Sequence, residues 1–129
     1  MTYPFYCMFA AFLLIYLTKI PLGIAMVKEG ESGYDNRHPR DQQARLTGWG
    51  SRVLAAHRNS FEITPIFAAA VITAHIFQAD AYWSAVWAAI FVVSRVLYVL
   101  CYIRDMHILR SVVWTIGMVC CVALFILAI

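Results

Sequence analysis

The chain alternates long apolar runs with short polar connections. The apolar runs cover about 4–27, 50–77, 82–103 and 110–129. A transmembrane helix needs roughly 20 mostly apolar residues, so each run is long enough to predict one spanning helix. We therefore expect an all-α integral membrane protein. Residues 1–129 are expected to form a single domain, a bundle of four transmembrane helices.

The polar connections predict how this bundle is oriented. The first, residues 28–49, is long and rich in turn formers, and the second is the short QADA. The third, around RDMHILR, is short and basic. Lysine and arginine concentrate in the first and third loops, and the positive-inside rule places such loops in the cytoplasm. Both termini are then expected on the opposite side of the membrane.

Composition supports a membrane protein and excludes some other classes. Hydrophobic residues make up 63% of the chain and charged residues 13%, whereas soluble domains carry about 25% charged residues. The net charge of +3 comes without a basic tail, so no nucleic-acid partner is expected. The cysteines lie in apolar runs without C-x-x-C spacing, so neither a disulfide framework nor a metal site is expected.

A polar stripe follows the start of the second run. At 100° per residue, Arg52, Asn59 and Glu62 fall on neighbouring parts of one helix face, leading inward from the cytoplasmic end. A carboxylate inside the bilayer is costly and marks either a functional site or a buried pair. Two interpretations of Glu62 remain open: it pairs with a basic residue of a neighbouring helix, or it binds a polar ligand.

The third run carries a second stripe. Arg95, Tyr98 and Tyr102 are spaced i, i+3 and i+7, which places them on one helix face. Arg95 lies too deep to reach the interface easily, so it needs an acidic partner. Glu62 is the candidate, and we expect a structural ion pair between Glu62 and Arg95.

The fourth run begins with two polar residues, Arg110 and Ser111. Arg110 is either a plain positive-inside anchor or a cation directed at an anionic ligand from a helix N-terminus, where main-chain N–H groups also favour negative charge. The polar residues of all three runs share the cytoplasmic half of the bundle. Together they suit a small zwitterionic molecule with several carboxylates, and they suit a metal ion poorly.

Two motifs in these runs are similar to those of a known family. The segment AHRNSFEITP, residues 56–65, follows Arg52 and fits the pattern of an arginine followed by Ala-His-x-Asn-x-x-Glu-x-x-Pro. An arginine followed by two aromatic positions and an Arg-Ser pair fits Arg95, Tyr98, Tyr102, Arg110 and Ser111. Both resemble bacterial members of the MAPEG family, the membrane-associated proteins in eicosanoid and glutathione metabolism. The bacterial inner membrane is therefore the expected location.

This resemblance implies a homotrimer in membrane lipid that uses glutathione as co-substrate, with no metal. It implies a membrane-bound glutathione-dependent transferase or peroxidase acting on lipophilic electrophiles or hydroperoxides, which enter from the lipid. The implied catalytic residues are Arg110 and Ser111, which stabilise the thiolate. The implied glutathione-binding residues are Lys28, Arg52, Arg58, Asn59, Glu62, Tyr98 and Tyr102.

Two positions depart from the pattern of glutathione-using relatives. Ala55 stands where those relatives carry an arginine, and Trp114 replaces an expected aromatic hydroxyl. These departures keep a second hypothesis open, in which the protein is a non-enzymatic trimeric membrane protein whose polar cluster is structural.

Overall fold

The computed structural model describes residues 2–129, and this part of the chain is helical apart from its connections. Four long helices coincide with the apolar runs, and a short one lies within the first polar connection, which its turn formers marked as a loop. In chain order the helices are α1 (Tyr3–Glu29), α2 (Pro39–Ala44), α3 (Gly48–Ile76), α4 (Ala81–Ile103) and α5 (His107–Ile126).

Three of the long helices have the length and composition of membrane spans. They are α1, α4 and α5, with mean hydropathies of 2.0, 2.1 and 2.1. The protein is therefore an integral membrane protein. Helix α3 has 29 residues but is not among these candidates, because its first half carries the charged residues of the polar stripe. A fourth crossing by α3 stays a prediction.

The bundle packs as two helix pairs around an apolar core. Helix α4 lies along α5 and α1 lies along α3, while α3 also contacts both α4 and α5. At the centre, the rings of Phe67 and Phe91 stack with centroids 3.8 Å apart. Cys120, Cys121 and Leu124 of α5 belong to the same cluster, as do Cys7 and Ala11 of α1. The cysteines are free and buried, as small apolar side chains.

Several polar side chains lie inside the bundle, and many large apolar side chains are exposed on its outside, as suits a lipid environment. A buried hydrogen bond of 2.9 Å joins Thr18 Oγ1 of α1 to His57 Nδ1 of α3. Thr18 donates its own proton to the Ile15 carbonyl, at 2.7 Å. His57 Nδ1 is therefore the donor to Thr18. The exposed apolar side chains include Leu17, Ile20, Val93, Leu97, Val112 and Val119.

The first polar connection folds around the buried side chain of Gln42. Its Nε2 donates to the carbonyls of Met26, at 2.9 Å, and Gly33, at 2.8 Å. Its Oε1 accepts from the main-chain N–H of Asp35, at 2.9 Å. The main-chain N–H groups of His38 and Arg37 donate to the Asp35 carboxylate, and these bonds lower its pKa. The connection is thus held compactly against the end of α1.

Candidate functional site

Six of the predicted site residues, on α3, α4 and the start of α5, form one continuous series of side-chain contacts. We call this series the polar line. In order along the line, its members are Arg110, Tyr102, Tyr98, Arg95, Asn59 and Glu62.

The outer part of the line consists of stacked groups. The Arg110 guanidinium lies over the ring of Tyr102, 4.3 Å from its centroid. Tyr102 meets Tyr98 edge to face, with centroids 5.2 Å apart. Tyr98 in turn lies 4.7 Å from the guanidinium of Arg95. The two tyrosines are one helical turn apart on α4, so the helix itself sets this spacing. The aromatic pair therefore separates two cations.

The inner part of the line is centred on Arg95, which is only 4% exposed. Its Nη2 donates to the carbonyl of Val113 at 3.1 Å, and its Nη1 donates to Asn59 Oδ1 at 3.3 Å. Its Nε lies 3.4 Å from Ser94 Oγ. Three acceptors from α3, α4 and α5 thus compensate the burial of one guanidinium.

Gly117 of α5 makes room for this guanidinium, and sequence reasoning did not select it. A Cβ at Gly117 would lie 2.7 Å from Arg95 Nη2, closer than side-chain atoms normally approach. Gly117 could have been found from the sequence as a glycine inside an otherwise apolar run, because such a glycine often marks close packing. Gly117 therefore belongs to the setting of Arg95, together with Val113 and Ser94.

The expected ion pair between Glu62 and Arg95 is not formed in the single chain. Asn59 lies between the two residues, since its Nδ2 donates to Glu62 Oε2 at 3.2 Å while its Oδ1 accepts from Arg95. Asn59 and Glu62 are one helical turn apart, and a neutral amide supplies both a donor and an acceptor. The carboxylate of Glu62 stays on the exposed face of α3.

Arg52 lies apart from the polar line and contacts the α4–α5 loop. Its Nη1 lies 3.7 Å from Asp105 Oδ2, the one ion pair within 4.0 Å in the part of the chain described. Asp105 has a φ of 60°, in the left-handed region. The Nε of Arg52 is buried without a hydrogen-bond partner. This pair ties the start of α3 to the loop that precedes Arg110.

The remaining predicted residues also lie outside the polar line. Arg58 is exposed on α3. Ser111 donates to the carbonyl of His107 at 3.2 Å. Lys28, at the end of α1, lies 5.9 Å from the ring centroid of Trp49. Within residues 2–129, no group of three or more His, Cys, Asp or Glu side chains is placed to hold a metal ion.

These features define a class: a helical integral membrane protein with a buried arginine and polar groups that lead from it to the exposed Glu62 on one side and to the half-buried Arg110 on the other. Residues 3–129 match the model of the MAPEG family, essentially the whole chain, so the protein belongs to the MAPEG family. The resemblance seen in the motifs is confirmed. No curated protein and no solved structure matches the chain significantly.

Proposed function

We propose that this protein is a membrane-bound glutathione-dependent transferase or peroxidase. It acts on lipophilic electrophiles or hydroperoxides and works as a homotrimer in which α3 provides the fourth membrane crossing. The observation that carries this proposal is the continuity of the polar line, which ends in a cation, Arg110, at one end and a carboxylate, Glu62, at the other.

The two ends of the line match the charges of glutathione. Glutathione carries an ammonium group, two carboxylates and a thiol that becomes an anion when it reacts. Glu62 is exposed and suits the ammonium group, while Arg110 is accessible and suits an anion. Arg58, which is exposed, and Arg52, whose side chain is 29% exposed, offer further cations for the carboxylates. Asn59 and the two tyrosines supply the neutral contacts between them.

The chemistry assigned to Arg110 is stabilisation of the thiolate. A free thiol has a pKa of about 8.5 and is mostly protonated at neutral pH, so an adjacent guanidinium increases the fraction of the nucleophile. The Ser111 hydroxyl follows on the same helical turn. In transfer, the thiolate forms a C–S bond as the leaving group departs. In peroxide reduction, it takes one oxygen and releases the alcohol, and a second glutathione converts the sulfenic acid to a disulfide and water.

The location of the charges supports a site shared between subunits. Glu62 and Arg58 lie on exposed parts of α3, where a second subunit can reach a ligand that they hold. The Arg52–Asp105 pair joins the start of α3 to the third loop, so loops one and three meet at one end of the bundle. We place this end in the cytoplasm and the protein in the bacterial inner membrane.

The test compares ligand binding and turnover in detergent solution. Millimolar glutathione is expected to raise the thermal midpoint, because a ligand bound only by the folded state stabilises it. Arg110→Ala is expected to keep the trimer and lose about 100-fold or more of conjugation with an aryl halide, the cost typical of losing one transition-state donor. Arg104→Ala removes an exposed arginine outside the line and serves as the matched control. Unchanged turnover in Arg110→Ala refutes the assignment.

A second candidate function has its own observation. Arg95 is already satisfied by acceptors within the chain, as it would be in a purely structural cluster of a non-enzymatic trimer. In that case Glu62→Ala disrupts the trimer, and glutathione leaves the thermal midpoint of the wild-type protein unchanged. Size-exclusion chromatography with light scattering measures the first effect and a glutathione titration the second.

A further inference from the structure

A pocket of about 440 Å³ lies at the end of the bundle opposite to Arg110. We call it the distal pocket. It is formed by the start of α1, the end of α3, the start of α4 and the end of α5, and its lining includes Phe5, Val71, Ala74, His75, Ser84 and Leu124. Its volume falls within the ~300–1,000 Å³ of small-molecule sites. Ser84 lies about 27 Å along α4 from Tyr102 at 1.5 Å per residue, so the distal pocket is separate from the polar line.

The side chain of Ser84 is an exception among the buried hydroxyls. Thr18, Ser60 and Ser94 each donate to a main-chain carbonyl three or four residues earlier, at 2.7 to 3.0 Å. Such bonds to the preceding turn are the usual way a helix satisfies serine and threonine. Ser84 is only 6% exposed, yet its Oγ has no hydrogen-bond partner within residues 2–129.

An unpartnered hydroxyl in an apolar setting costs free energy, which a ligand with a matching group recovers. The walls beside Ser84 are formed by Val71, Ala74 and Leu124, which suit an aliphatic chain. The lining also includes the polar side chains of Thr2, Tyr3, His75 and Gln78, so the pocket offers both apolar and polar contacts to one ligand. The occupant therefore combines an aliphatic chain with one hydrogen-bond acceptor.

We propose that the distal pocket binds an acyl chain whose carbonyl oxygen accepts a hydrogen bond from the Ser84 hydroxyl. The pocket lies at the ends of the long helices, at the depth where the hydrocarbon core gives way to the polar region that contains acyl carbonyl groups. His75, whose ring meets Phe5 edge to face at 5.0 Å, stands beside the acyl group. The same carbonyl occurs in a free fatty acid and in a phospholipid ester.

The experiment measures the thermal midpoint of delipidated protein in a maltoside detergent. The probes are decanoic acid, methyl decanoate and decane. Decanoic acid, methyl decanoate or both are expected to raise the midpoint by about 3 °C or more at saturation, and decane by less. A response to the acid alone identifies a free fatty acid, and a response to the ester alone identifies a phospholipid. Equal responses to all three probes, or none, overturn the proposal.

Two variants and one control locate the effect. Ser84→Ala is expected to remove the advantage of the carbonyl probes over decane. Ala74→Leu fills the pocket and is expected to abolish all three responses. Ser60→Ala removes a buried hydroxyl that is already satisfied by the Ala56 carbonyl, so its responses should equal those of the wild type. A carbonyl advantage that persists in Ser84→Ala contradicts the proposal.

A second measurement does not depend on how the variants fold. A fatty acid carrying a photoreactive diazirine on its chain is added to the wild-type protein, and the crosslinked peptides are identified by mass spectrometry. Crosslinks are expected in residues 2–5 and 71–84 and at Leu124, and they should diminish with excess methyl decanoate or decanoic acid. Crosslinks spread evenly over the lipid-facing surface refute a defined site.

Discussion

Arg95 and Arg110 lie on either side of the same pair of tyrosines, but they differ in burial and in hydrogen bonding. Arg95 is 4% exposed and donates to acceptors on three helices. Arg110 is half-buried, and its side chain makes no hydrogen bond within residues 2–129, only the contact with the ring of Tyr102. The inner arginine is bound by the protein itself, whereas the outer one keeps its donors available. The difference separates a residue that organises the site from one that can act on a ligand.

The physical reason is the cost of burying a guanidinium. A buried cation must be compensated by acceptors, and once compensated it cannot be removed without leaving a hole and unpaired partners. An accessible cation remains hydrated and needs no acceptors from the protein, so its contribution to stability is small. The free energy of unfolding of matched variants therefore tests the comparison directly.

The largest effect is expected for Arg95→Ala. This change removes three donor contacts and leaves a cavity between α3, α4 and α5, so we expect a loss of about 2–4 kcal/mol in unfolding free energy. Denaturation of the detergent-solubilised protein, followed by circular dichroism, measures it. Val93→Ala shortens a side chain of α4 that is 58% exposed and should change stability by less than about 0.5 kcal/mol. Equal losses in both variants would mean that Arg95 is not a structural centre.

The next effect concerns the space that Arg95 occupies. Gly117→Ala places a Cβ 2.7 Å from Arg95 Nη2, and the enclosed guanidinium can move only by weakening its bonds. We expect a loss of about 1–2 kcal/mol. Gly23→Ala is the matched control, because nothing lies within 4 Å of its added Cβ and alanine favours a helix by about 0.5–1 kcal/mol. In the Arg95→Ala background, Gly117→Ala should cost nothing, and a persistent cost would contradict the packing argument.

The helices and the members of the polar line could be predicted from sequence, because both follow from periodicity. Apolar runs of bilayer length predict long helices, and spacings of three, four and seven place Asn59 with Glu62 and Arg95 with the two tyrosines. Each of the two polar stripes lies on a single helix, where periodicity alone relates one residue to the next. The pattern therefore predicted which residues share one face of a helix.

The contacts between helices could not be predicted in the same way. Periodicity assigns a residue to a face but does not give its distance from a residue on another helix. The direct Glu62–Arg95 ion pair is not formed within the chain for this reason, since the rotation of α3 presents Asn59 to Arg95 first. The hydrogen bonds of Gln42 to Met26 and Gly33 likewise depend on how the first connection folds back. The role of Gly117 depends on a neighbour 22 residues away in sequence.

A smaller effect on stability is expected for Arg110→Ala. The side chain loses one cation–π contact at an accessible position, worth about 0.5–1 kcal/mol. The unfolding free energy should therefore fall far less than in Arg95→Ala. Tyr102→Leu removes the ring instead of the cation, and the double variant with Arg110→Ala isolates the energy of their contact. A loss from Arg110→Ala as large as that from Arg95→Ala would remove the distinction between the two arginines.

The smallest effect is expected for Asp105→Asn, which discharges the partner of Arg52. The pair is separated by 3.7 Å with side chains 29% and 65% exposed, so screening limits its value to about 0.5 kcal/mol or less. Asparagine tolerates the positive φ of this position, so the change isolates charge from backbone strain. Glu31→Gln, an exposed carboxylate outside the ion pair, is the control. The loss should vanish at about 1 M salt, where the Debye length is near 3 Å. A loss that survives high salt would contradict a screened ion pair with Arg52 as the source of the effect.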